Sequence, residues 1–156
     1  MIRVMFVCFG NICRSPMAEA IFEHLVEEAG LSDQIQVDSA GTSAVNTGQP
    51  AHRGTQDVLL RHGIAYEGSS RKVTLADLHQ ADYVVAMDAD NVFSLQAMLP
   101  NSALDGKIHL LLDFAPLVPP REVPDPIYDG RFEYVYDLIE AGCRGLLDHI
   151  RAEHEL

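Results

Sequence analysis

The stretch Val4-Met5-Phe6-Val7-Cys8-Phe9-Gly10-Asn11-Ile12-Cys13-Arg14-Ser15-Pro16 decides the fold of this chain. Its first four residues are apolar and predict a buried strand, and the residues from Pro16 onward have the apolar spacing of an amphipathic helix. Residues 8–15 therefore form a loop at the carboxyl end of the first strand. In open α/β sheets, ligands bind at that edge, beside the N-terminus of the following helix.

The residue types of this loop suit a thiol that attacks a phosphate group. Cys8 would face the backbone N–H groups of the loop and the positive end of the helix, and both stabilise a thiolate. Gly10 and Asn11 tolerate the left-handed backbone angles that turn successive N–H groups inward around an anion. Arg14, six residues after Cys8, can bind two phosphate oxygens with its planar guanidinium group. Ser15 is a suitable helix N-cap, and its hydroxyl is close enough in sequence to bond the sulfur.

Length, composition and charge exclude several classes of protein. The 156 residues predict one domain over residues 1–156, and 47% hydrophobic with 22% charged residues is ordinary for a globular protein. The chain enters its first strand at once, without a signal peptide or a membrane-spanning apolar run, which predicts a cytoplasmic protein. Three cysteines do not suggest a secreted disulfide framework. The net charge of −12 argues against nucleic acid as a partner. Because no Cys/His cluster has the spacing of metal ligands, we expect neither a metal nor another cofactor.

Strands alternate with helices along the rest of the chain. We predict strands at residues 34–39, 82–87 and 107–112, and helices at residues 16–29, 55–62, 74–78, 89–98 and 131–153. Pro100 is the expected stop of the helix at 89–98, and residues 113–124 are a Pro-rich loop. This alternation predicts an α/β fold with a parallel sheet and right-handed crossovers.

Two motifs resemble those of one known family. Residues 7–16 resemble the low-molecular-weight protein tyrosine phosphatase family almost letter for letter, with Phe9 where the family usually has Leu. Asp125-Pro126-Ile127-Tyr128-Asp129-Gly130 resembles the family's second motif. The resemblance implies a three-layer fold with a four-stranded parallel sheet of order 2-1-3-4, helices on both faces, and a phosphate loop after strand 1. It implies a phosphomonoester hydrolase that acts on protein phosphotyrosine and small aryl phosphates through a phosphocysteine intermediate.

The resemblance also implies roles for individual residues. Cys8 is the nucleophile, and Arg14 binds phosphate together with the loop amides. Asp125 protonates the leaving oxygen and then activates the attacking water, because a phosphate ester cleaves slowly unless its leaving oxygen is protonated. Pro126 restricts Asp125 to extended angles, which helps to aim it, and Asp129 is the rival acid. The phosphate-binding loop comprises Phe9, Gly10, Asn11, Ile12, Cys13, Arg14 and Ser15.

A second set of residues is expected to support this loop. In the family, the loop asparagine, here Asn11, has a strained left-handed conformation and is held by two serines and a histidine. The resemblance implies Ser15, Ser39 and His62 for this role, although Ser39 could equally be a plain turn residue. Cys13 is implied to form a reversible disulfide with Cys8 that protects it from deeper oxidation, and the alternative is a packed, unreactive thiol.

The substrate cleft is expected to be less aromatic than is usual in the family. Neither Val45 nor Asn46 supplies the aromatic wall that the family often has there. Ile127 replaces the first aromatic residue after the Asp-Pro pair, and Tyr128 keeps the second. We therefore expect weaker discrimination among phosphomonoesters.

Two other functions stay open at this stage. An arsenate reductase on the same fold needs a relay of further cysteines, and beyond Cys13 only Cys143 remains, on the predicted packed face of the last helix. A non-catalytic module that binds phosphorylated protein would not need the full catalytic set. The predicted partner is a phosphotyrosine-containing protein, with no nucleic acid and no membrane, and the sequence does not indicate an oligomeric state.

Overall fold

The structure is a computed structural model that describes residues 1–99, 106–117 and 119–156. Its strands are β1 (Ile2–Cys8), β2 (Ile35–Gly41), β3 (Tyr83–Ala86) and β4 (Ile108–Leu110). Its helices are α1 (Arg14–Glu28), α2 (Arg53–Arg61), α3 (Leu75–Gln80), α4 (Ala89–Met98) and α5 (Phe132–His154), and a 3-10 helix covers Leu111–Phe114. The strands are parallel and lie in the order β2-β1-β3-β4, which confirms the predicted α/β sheet.

Strand β1 is the centre of the molecule because both of its faces are apolar. Val4, Phe6 and Cys8 face a core that includes residues of α1 and α5, whereas Met5 and Val7 face a second core with residues of α3 and α4. Helices therefore cover both faces of the sheet, and the three layers are as predicted. None of the helices in the described ranges has the length and apolar composition that a bilayer crossing requires.

The loop after β1 lies where the strand order reverses. Strand β1 pairs with β2 on one side and with β3 on the other, so the chain first crosses from β1 to β2 and then crosses back past β1 to β3. Thr42 and Ser43, just beyond β2, donate backbone hydrogen bonds of 2.9 and 3.0 Å to the carbonyl oxygens of Cys8 and Phe9. The connection after β2 is therefore tied to the start of the loop.

Several element ends differ from the prediction for local reasons. Helix α1 begins at Arg14 rather than Pro16, and its N-cap residue is Cys13. The N-cap prediction for Ser15 is therefore wrong, because Ser15 lies inside the helix with its hydroxyl bonded elsewhere. Helix α2 begins two residues early because the imidazole of His52 accepts a 3.0 Å hydrogen bond from Gly54 N and caps it.

The later elements follow the predicted pattern, but both later strands are shorter. The strand predicted at residues 82–87 covers only Tyr83–Ala86. Thr74 and Asp88 cap α3 and α4 through capping boxes. The strand predicted at residues 107–112 covers only Ile108–Leu110, because the chain then turns into the 3-10 helix. Pro100, the predicted stop of α4, lies outside the described residues.

Gly145 allows the 3-10 helix to approach α5 closely. A Cβ atom at Gly145 would overlap the carbonyl oxygen of Phe114, and one at Gly142 would lie 2.6 Å from Leu111 Cγ. Because the obstacle at Gly145 is backbone, it cannot move aside without shifting the 3-10 helix.

We expect Gly145→Ala to lower the free energy of unfolding by about 2–3 kcal/mol, as overpacking does. The sign is informative, because Gly→Ala in an unobstructed helix stabilises by about 1 kcal/mol. Urea denaturation measures the change. Arg144→Ala, at the neighbouring position, is the control. The Arg144 side chain is 61% exposed, so this substitution should change the free energy of unfolding by less than about 0.5 kcal/mol. A Gly145→Ala variant as stable as the parent would contradict this close contact.

Candidate active site

Cys8 ends β1 with its side chain buried and its sulfur facing two hydrogen-bond donors. The backbone N–H of Asn11 donates to Cys8 Sγ at 3.3 Å, and Ser15 Oγ lies 3.0 Å from the same sulfur. Hydrogen bonds to a sulfur that carries charge favour its charged form. Both groups are placed to donate to a thiolate at Cys8, and the thiolate is the nucleophilic form of cysteine.

Asn11 is in the left-handed conformation, with a φ of 56°. Its Nδ2 donates to Ser15 Oγ at 2.8 Å and to Ser39 Oγ at 3.0 Å. Its Oδ1 accepts a 3.0 Å hydrogen bond from the backbone N–H of Arg71. The structure thus brings Ser15 and Ser39 to Asn11, where the resemblance implied them.

His62 contacts α5 rather than the loop, so its implied support role is wrong. It follows α2, where its ring stacks on that of Tyr136 with centroids 3.8 Å apart, and its Nε2 lies 3.2 Å from Glu133 Oε2. Both partners belong to α5. His62 reaches them because α2, which it follows, packs against that helix. The segment after residue 68 supports the loop instead: Ser70 Oγ donates to Gly10 O at 2.9 Å, in addition to the bond from Arg71 N.

Arg14 is buried and is held in place by two acceptors. Its Nη1 donates to Asp88 Oδ2 at 2.7 Å and to the carbonyl oxygen of Val123 at 2.9 Å. Burial by itself lowers the pKa of this guanidinium group, whereas nearby negative charges, with that of Cys8 first, raise it and prevail. Asp88, which also caps α4, is not among the residues predicted for the site. The position of Asp88 directly after β3, at the carboxyl edge beside β1, was the signal for its second contact.

Asp125 lies beside Arg14, with its Oδ2 3.7 Å from Arg14 Nη2. Its Oδ1 accepts a 3.2 Å hydrogen bond from Ile127 N, which fixes the carboxylate within its turn. The rival, Asp129, instead accepts a 3.1 Å hydrogen bond from Arg131 N at the start of α5. Only Asp125 of the two lines the cavity that contains Cys8.

A cavity of about 310 Å³ opens over the loop. The predicted cleft residues meet in it, since Val45, Asn46, Ile127 and Tyr128 line it together with Cys8 and Asp125. Its rim is mostly apolar, and Tyr128 is 87% exposed there. The cavity therefore combines a thiol and a carboxylate with apolar walls, and the Arg14 guanidinium group lies 3.7 Å from that carboxylate.

The two other cysteines are in different surroundings from Cys8. Burial and the negative charges of Asp125 and Cys8 raise the pKa of Cys13 to about 12. Burial also raises the pKa of Cys143, which is packed within α5. Both groups are therefore neutral thiols at neutral pH, and all three cysteines are unpaired in the structure.

We expect iodoacetamide to modify one cysteine per chain at neutral pH, and that cysteine is Cys8. Thiolates react and thiols do not, and the raised pKa of Cys13 keeps it protonated until the pH approaches about 12. Mass spectrometry of tryptic peptides locates the modification. The Cys8→Ser variant should take up no label under the same conditions. Labelling of Cys13 at a rate equal to that of Cys8 would contradict the assignment.

Comparison with known proteins agrees with this geometry. A family model described as low molecular weight phosphotyrosine protein phosphatase matches residues 3–156. The low molecular weight protein-tyrosine-phosphatase YfkJ of Bacillus subtilis is 46% identical over 159 aligned residues, which cover 100% of both chains. The enzyme of the same description named PtpA, from Staphylococcus epidermidis, is 43% identical over 150 residues, which cover 96% of this chain and 94% of that one.

Solved structures show the same relationship. The crystal structure of YfkJ from Bacillus subtilis has a TM-score of 0.93 and 47% identity, over 98% of this chain and 96% of that one. The crystal structure of DARP, a drosophila arginine phosphatase, has a TM-score of 0.86 and 34% identity, over 95% and 97% of the two chains. With its loop, its second motif and its sheet order all in agreement, the chain belongs to the low molecular weight protein tyrosine phosphatase family.

Proposed function

We propose that this protein hydrolyses phosphotyrosine in proteins, and small aryl phosphates, through a phosphocysteine intermediate. The observation that carries the proposal is that Cys8 and Asp125 line one cavity, while the guanidinium group of Arg14 lies 3.7 Å from the Asp125 carboxylate. The relatives YfkJ and PtpA are named as protein-tyrosine-phosphatases, which supports the same substrate class. The partner is then a phosphotyrosine-containing protein.

In the first step, the Cys8 thiolate attacks phosphorus, so that an S–P bond forms as the P–O bond to the tyrosine breaks. Arg14 and the loop N–H groups bind the three equatorial oxygens, and this electrostatic stabilisation is the largest contribution. Asp125, in its protonated form, gives its proton to the departing phenolic oxygen. The negative charge of the carboxylate that remains is close to Arg14, which stabilises it.

In the second step, the Asp125 carboxylate takes a proton from a water molecule as that water attacks phosphorus. The S–P bond breaks and the electron pair returns to Cys8 as a thiolate. Ser15 Oγ, 3.0 Å from the sulfur, donates a hydrogen bond to the departing thiolate. Inorganic phosphate leaves with Asp125 protonated again, so the proton balance closes and no step requires a metal.

The composition of the cavity favours an aryl ester over a more polar one. Ile12, Val45 and Ile127 line its walls, and among its lining residues Asp125 is the single carboxylate. A guanidinium group, as in phosphoarginine, would need further acceptors at this place, whereas a phenyl ring needs apolar contact. The proposed substrate class therefore differs from the one that the name arginine phosphatase gives for DARP.

The other two functions are less well supported by the geometry. Cys143 is buried in the core with its sulfur 3.8 Å from the carbonyl oxygen of Ala18, so it is not available as a resolving thiol for arsenate reduction. A phosphoprotein-binding module would not need the Asp125 carboxylate that lies beside Arg14 near Cys8.

The redox pairing of Cys13 with Cys8 stays a prediction. A free nucleophilic thiol needs reducing surroundings, and we therefore propose a cytoplasmic location.

The direct test is phosphate release from matched peptides that carry phosphotyrosine, phosphoserine or phosphoarginine, with EDTA present throughout. We expect kcat/KM for phosphotyrosine to exceed that for each of the others, with no effect of EDTA. Preferred release from phosphoarginine would assign the activity named for DARP instead. Loss of activity in EDTA would overturn the mechanism.

We expect Ile127→Tyr to raise the preference for aryl over alkyl phosphates. A second ring beside Tyr128 would stack on the substrate ring and add about 0.5–1.5 kcal/mol, or roughly 2- to 12-fold in the ratio of kcat/KM values. The ratio compares p-nitrophenyl phosphate with glycerol phosphate. Leu117→Tyr is the control, because Leu117 is 94% exposed and does not line the cavity. An unchanged ratio in Ile127→Tyr would show that residue 127 does not contact the substrate ring.

A further inference from the structure

A chain of hydrogen bonds extends from the catalytic sulfur to a tyrosine outside the site. It runs from Cys8 through Ser15, Asn11 and Ser39 to Glu19 and ends at Tyr66. We infer that Tyr66 is a positioning residue for the phosphate-binding loop and acts on it through Glu19 and Ser39. Its kinetic consequence rests on the proposed phosphatase function, whereas its effect on the reactivity of Cys8 does not.

The carboxylate of Glu19 fixes the donor and the acceptor of each hydrogen bond between it and Cys8. Ser39 Oγ lies 2.5 Å from Glu19 Oε1, and because an ionised carboxylate only accepts, the Ser39 hydroxyl must donate to it. The oxygen of Ser39 is then left to accept the bond from Asn11 Nδ2 at 3.0 Å. The side-chain amide of Asn11 is thereby held with its nitrogen toward the serines.

The same direction reaches the sulfur. Asn11 Nδ2 also donates to Ser15 Oγ at 2.8 Å, so the Ser15 hydroxyl hydrogen is free for another acceptor. Cys8 Sγ is 3.0 Å away, and the alternative acceptor, Ala40 O, is 3.5 Å away. The donor that stabilises the Cys8 thiolate therefore depends on the orientation of Asn11.

Tyr66 supports Glu19 in its charged form. Its hydroxyl donates to Glu19 Oε1 at 2.9 Å, the same oxygen that accepts from Ser39. The pKa of the Glu19 carboxyl group is raised on balance, because burial and the charges of Asp38 and Glu23 outweigh the bonds from Ser39 and Tyr66, which lower it. A protonated Glu19 could donate a hydrogen bond to Ser39 and so reverse the direction of the hydrogen bonds toward the sulfur. The Tyr66 hydroxyl group opposes this, because its hydrogen bond stabilises the ionised carboxylate.

Gly68 is what lets the phenol reach this place. A Cβ atom at Gly68 would overlap the Tyr66 hydroxyl group and lie 2.6 Å from its ring carbon Cζ. The Tyr66 ring therefore lies against the backbone of Gly68. Residues 63–68 and residues of α1 line a cavity of about 420 Å³. Because water in that cavity can partly replace a lost hydroxyl group, removal of the phenol should have a moderate effect.

The test is Tyr66→Phe, which removes one hydroxyl group and keeps the ring. We expect kcat to fall about 3- to 10-fold with KM within about twofold of the parent value, since the loss acts on the reacting sulfur rather than on substrate binding. We expect the second-order rate of Cys8 alkylation by iodoacetamide at pH 6 to fall by a similar factor. Gly68→Ala should have the same effect, because it displaces the hydroxyl group from Glu19.

The matched control is Tyr83→Phe. The Tyr83 hydroxyl group also bonds a glutamate, Glu153. Tyr83 is the first residue of β3 and lies at the amino edge of the parallel sheet, whereas the loop lies at the carboxyl edge. This variant should keep the parent values of kcat and alkylation rate. A Tyr66→Phe variant that alkylates Cys8 at the parent rate overturns the inference, whatever its kcat. If the unmodified protein releases no phosphate, the proposed function fails, and the alkylation rates still decide the role of Tyr66.

Discussion

Cys8→Ser should reduce phosphate release from p-nitrophenyl phosphate by about 10⁴-fold or more, because a serine hydroxyl is not ionised at neutral pH and cannot replace a thiolate nucleophile. The two donors that face the sulfur stabilise a negative charge, and they have no such charge to act on in the variant. Measurement of kcat at saturating substrate gives the effect directly.

The same variant provides its own control for folding. Arg14 and its partners Asp88 and Val123 are untouched, so Cys8→Ser should still bind inorganic phosphate or vanadate in a calorimetric titration. Retained binding with lost turnover assigns the loss to the nucleophile. Turnover above about one per cent of the parent value would show that another group attacks phosphorus.

Asp125→Asn should slow the hydrolysis of phosphotyrosine by about 10²- to 10⁴-fold, as the loss of a general acid does. The amide keeps the shape of the carboxyl group but has no acidic proton for the leaving oxygen. The effect should be smaller with p-nitrophenyl phosphate, because nitrophenolate leaves without protonation. The dependence of kcat on the leaving group therefore separates a missing acid from a disturbed fold.

Asp129→Asn is the matched control for this substitution, four residues along the same loop. Asp129 accepts a hydrogen bond from Arg131 N and does not line the cavity, so its variant should retain most of the parent kcat. A larger loss in Asp129→Asn than in Asp125→Asn would reverse the assignment of the acid.

The parts of this molecule that the sequence predicts well are those encoded locally. Strand β1, the loop and α1 are contiguous, so apolar runs and helical periodicity place Cys8 and Arg14 together. The alternation of strands and helices leaves few topologies, which made the parallel sheet predictable. The ends of elements were less predictable, because caps such as His52 depend on side-chain contacts that periodicity does not encode.

The residues that the sequence did not reveal act across long distances in the chain. Arg71 N bonds Asn11 from 60 positions away, and Tyr66 bonds Glu19 from 47 positions away. The irregular segment that supplies both partners has no periodic pattern, so its path over the phosphate loop could not be inferred. The family resemblance implied His62 as a support of Asn11, whereas its position at the end of α2 directs it to α5.

The guanidinium group of Arg14 is fixed by the protein's own acceptors, the Asp88 carboxylate and the main-chain oxygen of Val123. The receptor for the tetrahedral anion is thus built before any ester arrives, and little reorganisation is needed when one binds. A preorganised site of this kind does not discriminate between inorganic phosphate, the product, and the phosphate group of the substrate. We therefore expect free phosphate to compete with the ester substrate, so that the concentration of phosphate sets the fraction of the enzyme that is free to react.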